Sequence, residues 1–179
     1  MRKWIVGLLI LSITACAPKG PDPVTAPDGT EISSPVDYNN YFIALQQQVI
    51  TKMGTFSESL ESFDTSSIRQ EHKALIQTID STIEKAEQTP AYGDDDVLKP
   101  AFLDLFRFYQ QLSTEEYGTI VNLIEGGESS ISDDDLRVID SLTKSIELQQ
   151  TKVKASFNKA QNRFAEQYQL EVEKTKANQ

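Results

Sequence analysis

Side chains that could do chemistry are few in this sequence: one cysteine, Cys16, one histidine, His72, and scattered carboxylates. A single histidine excludes metal sites built on histidine pairs, and a single cysteine excludes a disulfide within the chain. His72 falls on the apolar face of a predicted helix, so we expect it to pack at the edge of a core rather than bind a ligand or carry a proton. The sequence contains no glycine loop for phosphate and no haem-attachment motif.

Two runs of three aspartates, Asp94-Asp95-Asp96 and Asp133-Asp134-Asp135, each stand just before an apolar helical pattern. Carboxylates at the start of a helix accept backbone N–H bonds and complement the helix dipole, so capping is the expected role. The alternative is a weak Ca²⁺ site, although neither run has the alternating acids, central glycine and distal glutamate of an EF-hand loop. Glu84 and Glu87 lie three residues apart on a predicted helix, and we expect them on a solvated face rather than as paired glycosidase acids.

Cys16 closes an arrangement that begins with basic Arg2 and Lys3 and continues through an apolar run at 4–13 to the small residue Ala15. That run is shorter than the roughly 20 residues needed to span a bilayer. The arrangement resembles a bacterial lipoprotein signal with its lipobox. The resemblance implies cleavage between Ala15 and Cys16, acylation of Cys16 and attachment to a membrane through the acyl chains. An ordinary secretory signal with an unrelated cysteine is the alternative.

Ala17 is the second residue of the mature chain that this resemblance implies. The absence of aspartate there favours the outer over the inner membrane, and the absence of an acidic run favours the periplasmic over the external face. Loss of Arg2 and Lys3 would move the net charge from −10 to −12. An acidic domain repels nucleic acid and anionic headgroups, so we expect no nucleic-acid partner and membrane contact through the lipid alone.

The sequence divides into a signal at 1–15, a lipidated tether at 16–36 and a helical domain at 37–179. Five of the seven prolines lie between residues 17 and 36, with few apolar side chains to form a core. The tether is therefore expected to be extended and disordered, and to hold the domain on the order of 60 Å from the lipid.

From residue 37 onward, apolar residues recur at spacings of three and four, which predicts helices. The first helix is expected at about 37–61, and the second from a cap at Ser66 and Ser67 to near Thr89. The third is expected at 98–124, with a kink or restart at 113–116, where the sequence resembles a capping box. The last is expected to begin at Ser132 and to continue over about 42 residues. The third helix is rich in phenylalanine and tyrosine, which we expect in the core rather than lining a ligand pocket.

Short polar connections between these helices predict an all-α fold, an antiparallel up-down-up-down four-helix bundle with a long C-terminal helix. A coiled-coil dimer through the long last helix is the alternative arrangement.

Three segments, 37–41, 101–117 with its Phe106-Arg107-Phe108-Tyr109 core, and 157–168, resemble an uncharacterised helical lipoprotein family of Bacteroidota type. The matching motifs are aromatic packing positions. The resemblance therefore implies a helical lipoprotein and carries no activity.

The leading interpretation is a lipid-anchored interaction or structural module that binds another envelope protein or itself through a helix face. The alternative is a lipoprotein that binds a small ligand or a metal ion. Nothing nucleophilic, metal-chelating or nucleotide-binding points to an enzyme, and no cofactor is expected.

Overall fold

The structure, a computed structural model, describes residues 21–170. The predicted signal at 1–15, the cleavage point between Ala15 and Cys16, and the acylation of Cys16 lie outside the described residues, as do residues 171–179. The elements are a hairpin of β1 (Val24–Thr25) and β2 (Glu31–Ile32), then α1 (Pro35–Ser62), α2 (Thr65–Gln88), α3 (Leu98–Thr114), α4 (Glu116–Leu123), a 3-10 turn (Glu128–Ser130) and α5 (Asp133–Gln167).

The all-α bundle predicted from the apolar periodicity is confirmed. Each helix packs against the next along the chain, α1 on α2, α2 on α3 and α3 on α5, while α4 continues α3 and contacts α2 and α5. The third predicted helix is therefore a kinked unit of α3 and α4. Within residues 21–170, no helix is both long enough and apolar enough to cross a bilayer.

Capping side chains explain where the first two helices begin. The Ser34 side chain accepts the Asp37 N–H at 3.1 Å, and Pro35 follows at the first helical position, where its missing N–H costs nothing. α2 is capped by Asp64, whose Oδ1 accepts the Ser66 N–H. The expectation that Ser66 and Ser67 cap α2 is therefore wrong, because both already lie inside the helix.

The kink between α3 and α4 is confirmed at Glu115, but the capping box predicted at 113–116 is wrong. Glu115 keeps helical backbone angles, its N–H bonds the Gln111 carbonyl, and the Thr119 N–H bonds the Glu115 carbonyl. The start of α4 has no side-chain cap hydrogen bond within the described residues, so the reciprocal bonds of a capping box are not formed. The Thr114 hydroxyl instead donates to the carbonyls of Gln110 and Gln111.

α5 has 35 residues, fewer than the 42 expected, and therefore runs about 52 Å. It begins at Ser132, as predicted, and a capping box forms there: the Ser132 hydroxyl accepts the Asp135 N–H, and the Asp135 carboxylate accepts the Ser132 N–H. The helix ends at Tyr168, and Gln169 adopts a positive φ of 54°.

The extended, disordered tether predicted for 16–36 is wrong for its described part, residues 21–36. Pro27-Asp28-Gly29 forms a tight turn in which the Gly29 N–H bonds the Ala26 carbonyl, with Gly29 at a φ of 85°. Thr30 hydrogen-bonds to Asp28 and holds the pKa of that carboxyl below its ordinary value. Ile32 of β2 is fully buried against the bundle. The prolines and glycine therefore shape a hairpin here rather than an open chain.

Candidate functional site

One end of the bundle is closed by aromatic side chains, at the end where α1 begins and α5 finishes. The Tyr38 ring packs against Phe42, Tyr92 and Phe164 at centroid distances of 4.9, 6.0 and 5.8 Å. The Tyr168 hydroxyl donates to the Tyr92 carbonyl, which ties the end of α5 to the loop before α3. We call this the hairpin end, because β1 and β2 pack here.

The first aspartate run lies at the hairpin end and acts as predicted, through one of its members. Asp95 is 8% exposed and accepts the backbone N–H groups of Val97, Leu98 and Lys99 at 3.0, 2.8 and 3.1 Å. Its neighbours Asp94 and Asp96 are exposed. Capping of α3 is therefore confirmed, because the Asp95 carboxylate accepts all three of these hydrogen bonds from the backbone at the start of that helix.

The second run caps α5 through Asp135, while Asp134 pairs with Arg137 at 2.6 Å. Hydrogen bonds from Ser132 lower the pKa of Asp135. No group of three or more histidine, cysteine, aspartate or glutamate side chains within residues 21–170 is placed to hold a metal ion.

His72 lies half-buried at the edge of the core, as its position on the apolar face predicts. Its Nε2 is 2.7 Å from the Ser113 carbonyl at the end of α3, and its ring packs against Phe56 at 5.4 Å. The histidine therefore joins three helices, and its ring nitrogen is engaged by the backbone.

The glutamates Glu84 and Glu87 do not form a carboxylate pair. Glu84 accepts a hydrogen bond from Gln88, and Glu87 pairs with Arg107 on α3 at 2.9 Å. Phe102 and Phe106 of the third predicted helix lie in the core as predicted, stacked at 4.3 Å. For Tyr117 the prediction is wrong, because this residue is only partly buried and lines a pocket.

A feature that the sequence did not reveal is an apolar groove between α1 and α5, floored by α4. Its volume is about 440 Å³. Near the hairpin end the two outer helices touch, through Gln161 to Asn39 and Phe164 to Tyr38. Farther along, they flank the groove, whose lining from α1, α4, the following loop and α5 includes Met53, Phe56, Leu60, Phe63, Tyr117, Ile120, Ile131, Leu136, Ile139 and Ile146.

A smaller cavity of about 260 Å³ extends the same seam between α1, α3 and α5, and it shares Met53 with the groove. Ile50 lines this cavity and is nevertheless about half exposed. The seam between α1 and α5 is thus the loosely packed side of the bundle.

The groove is open to solvent at its rim. Leu136 on α5 is 54% exposed and Phe63, at the end of α1, is 40% exposed. Burial raises the pKa of Tyr117 on the floor, while a hydrogen bond with Gln150 has the opposite effect. Tyr117 on the floor is therefore partly shielded from water, while the rim presents the large apolar side chains of Leu136 and Phe63 to it.

Acidic groups surround this end of the molecule. The groove half, residues 50–76 and 111–150, carries thirteen acidic and five basic residues. Four of those bases already form ion pairs with acids of the same half: Lys52 with Glu71, Arg69 with Glu125, Arg137 with Asp134, and Lys144 with Asp140.

Glu147 lines the groove on α5 and forms no ion pair within the described residues. On α4, next to the floor residue Tyr117, Glu116 Oε2 is buried without a hydrogen-bond partner within residues 21–170. Unpaired negative charge therefore borders an apolar floor.

The sequence held a partial signal for the groove. The apolar stripe of the first helix reaches Phe63, and Leu136 lies one turn before Ile139 on the last helix, yet both side chains remain exposed. Comparison of the chain with protein-family models, with curated proteins and with solved structures gives no significant match.

Proposed function

We propose that this chain is a lipid-anchored envelope protein whose helical domain is a protein-interaction module that docks its partner in the groove between α1 and α5. The exposed apolar rim over an apolar floor carries the proposal. Leu136 and Phe63 lose contact with water only when something covers them, and covering the exposed half of such a side chain stabilises a complex by about 1 kcal/mol.

The ordered hairpin changes how the anchor would hold the domain. Pro21 contacts the hairpin end, since a Cβ on Gly93 would meet its side chain at 2.8 Å. With the anchor on Cys16, only five residue steps separate the lipid from Pro21, a reach of about 17 Å when fully extended. The hairpin end then faces the membrane at short range.

The groove lies at the other end of the bundle. Tyr38 at the hairpin end and Phe56 in the groove are eighteen residues apart on α1, which is about 27 Å along the helix axis. The anchored domain therefore presents its docking surface away from the membrane, toward other proteins of the envelope.

A second candidate function is the binding of a small apolar ligand. The groove volume of about 440 Å³ falls in the range of small-molecule sites. Native mass spectrometry of the purified protein would show an added mass if a ligand fills the groove.

The anchor and the docking surface are tested separately. For the anchor, mass spectrometry of native protein should find an acylated Cys16 at the N-terminus, and Cys16→Ala should release the protein from membranes in a salt wash.

For the docking surface, affinity capture from envelope extracts should retain a protein that Leu136→Gln loses and Val138→Gln keeps. An unmodified thiol with residues 1–15 present would overturn the anchor, and equal capture by both variants would overturn the docking surface.

A further inference from the structure

The groove combines an apolar lining with an unpaired carboxylate, Glu147, in the strongly acidic half of the domain, and from this we infer that its occupant is a cationic amphipathic helix of a partner protein. The inference rests on the proposed function and specifies the chemistry of the partner. It follows from the shape of the groove and from the charge around it.

The shape fits a helix. Lining residues on α5 extend from Leu136 to Gln150, a distance of about 21 Å along the helix axis, and those on α1 extend from Met53 to Phe63. A helix of about fourteen residues spans this length and can lay residues at positions i, i+4, i+7 and i+11 on the floor. The hydrogen bond and the ring contact between α1 and α5 within residues 21–170 lie near the hairpin end, so the partner would complete the packing along the open part of the seam.

The charge selects a basic partner. Eight more acids than bases lie in the groove half, and four of its five bases are already paired. Glu147 lines the α5 wall of the groove, and twelve further acids lie in the same half of the domain. Lysine or arginine on the outer face of the docked helix would pair with these carboxylates, whereas acidic residues there would be repelled.

Residues 171–179 and 16–20 do not supply this helix. Leu170 packs at the hairpin end, and nine further residues reach about 31 Å when fully extended, while Thr143 at the middle of the groove lies about 36 Å along α5 from Gln167. Residues 171–179 carry two acids and two bases, so they also lack net positive charge. The five steps from Cys16 to Pro21 reach about 17 Å.

A second copy of the described domain is also a poor occupant. The basic part of α5 carries Lys152, Lys154, Lys159 and Arg163. Its apolar residues Phe157, Ala160 and Phe164 are buried in the core of the same domain. That helix cannot present both its positive charge and an apolar face to a neighbour without leaving its own bundle.

The test uses the full chain in nanodiscs of zwitterionic lipid, with empty nanodiscs as the blank. The probe is a fourteen-residue peptide with leucines at helical spacing, lysines elsewhere and one tryptophan on the apolar face. Trp4, the sole tryptophan of the chain, lies in the segment 1–15, so peptide emission is read against a low background. Two control peptides carry glutamate for lysine, or the same composition with the apolar stripe broken.

We expect saturable binding of the cationic peptide with a blue-shifted tryptophan emission, and at least about tenfold weaker binding of both control peptides. Leu136→Gln should weaken binding about five- to tenfold, because a groove contact is lost. Val138→Gln is the matched control on the same helix, since Val138 is 44% exposed and does not line the groove. Glu147→Gln should weaken binding of the cationic peptide and reduce the salt dependence of that binding.

Equal binding of the cationic and acidic peptides would overturn the inference. Equal effects of Leu136→Gln and Val138→Gln on peptide binding would overturn it as well. A bound small molecule that the cationic peptide fails to displace would overturn it in favour of a ligand site. If no peptide binds while envelope capture still depends on Leu136, the partner class is wrong and the interaction module stands. If capture is independent of Leu136 as well, the proposed function fails with it.

Discussion

Removal of one carboxylate, that of Asp95, should destabilise the whole bundle. Asp95 Oδ1 accepts the N–H groups of Val97 and Leu98, and Oδ2 accepts that of Lys99. Asp95→Ala leaves these donors without their acceptor at a largely buried helix start. Loss of a capping side chain costs roughly 0.5–2 kcal/mol, and bonds to a charged acceptor are stronger than average, so we expect a loss of about 2–4 kcal/mol.

For a domain of this size, that loss lowers the melting temperature by about 5–15 °C, measurable by circular dichroism at 222 nm. Asp95→Asn should fall between wild type and alanine, because an amide oxygen can replace Oδ1 but leaves the Lys99 N–H without the second oxygen. Asp94→Ala and Asp96→Ala are matched controls, since both residues are exposed. An Asp95→Ala protein that melts within 2 °C of these controls would refute the reasoning.

Three further changes test the hairpin, α1 and the tyrosines. Ile32→Ala should cost about 2–4 kcal/mol in urea unfolding, because Ile32 is fully buried, whereas exposed Thr25→Ala should leave the midpoint unchanged; equal midpoints would mean that the hairpin is not docked. Gly54→Ala should raise the unfolding free energy by about 0.5–1 kcal/mol, because Gly54 lies inside α1 and a Cβ there meets nothing within 4 Å; a lower midpoint would contradict the open site. Burial raises the pKa of Tyr109 to about 12, so the unfolded state ionises first and stability should fall between about pH 10 and pH 12, by about 2–3 kcal/mol from this residue. Tyr109→Phe should make that alkaline loss shallower, and an unchanged slope would contradict the burial of the hydroxyl.

The helices were predictable because their information is local. Apolar residues at spacings of three and four place α1, α2, α3 and α5, and Ser132 with Asp135 marks the start of α5. His72 could also be placed from its helix face alone, at the edge of the core. Such positions depend on the period of a helix, which a single sequence displays directly.

The hairpin was not predicted because the number of prolines in this segment indicates disorder, whereas their positions determine the structure. Pro27-Asp28-Gly29 has the residues that a tight turn needs, and Pro35 directly follows the cap Ser34, so these prolines shape ordered backbone. Ile32 and Ala26 then supply the small apolar surface that holds the hairpin to the bundle. Composition predicts disorder only where such positional meaning is absent.

The groove could not be predicted from any one helix. Its walls are apolar stripes that look like ordinary core, and its existence depends on how α1 and α5 separate beyond Asn39 and Gln161. Helix separation is a tertiary property set by packing against α3 and α4. Phe63 continues the apolar stripe of the first helix, and only the arrangement of the helices leaves it and Leu136 exposed.

Site-specific photo-crosslinking in intact cells tests docking at the groove most directly. A photoreactive amino acid at position 136 should crosslink the chain to an envelope protein through a basic amphipathic helix of that protein. The same residue at position 138, two residues away on α5 and outside the groove, should give little or no such product. Crosslinks of equal yield at the two positions, or crosslinks at 136 to lipid alone, would contradict the account.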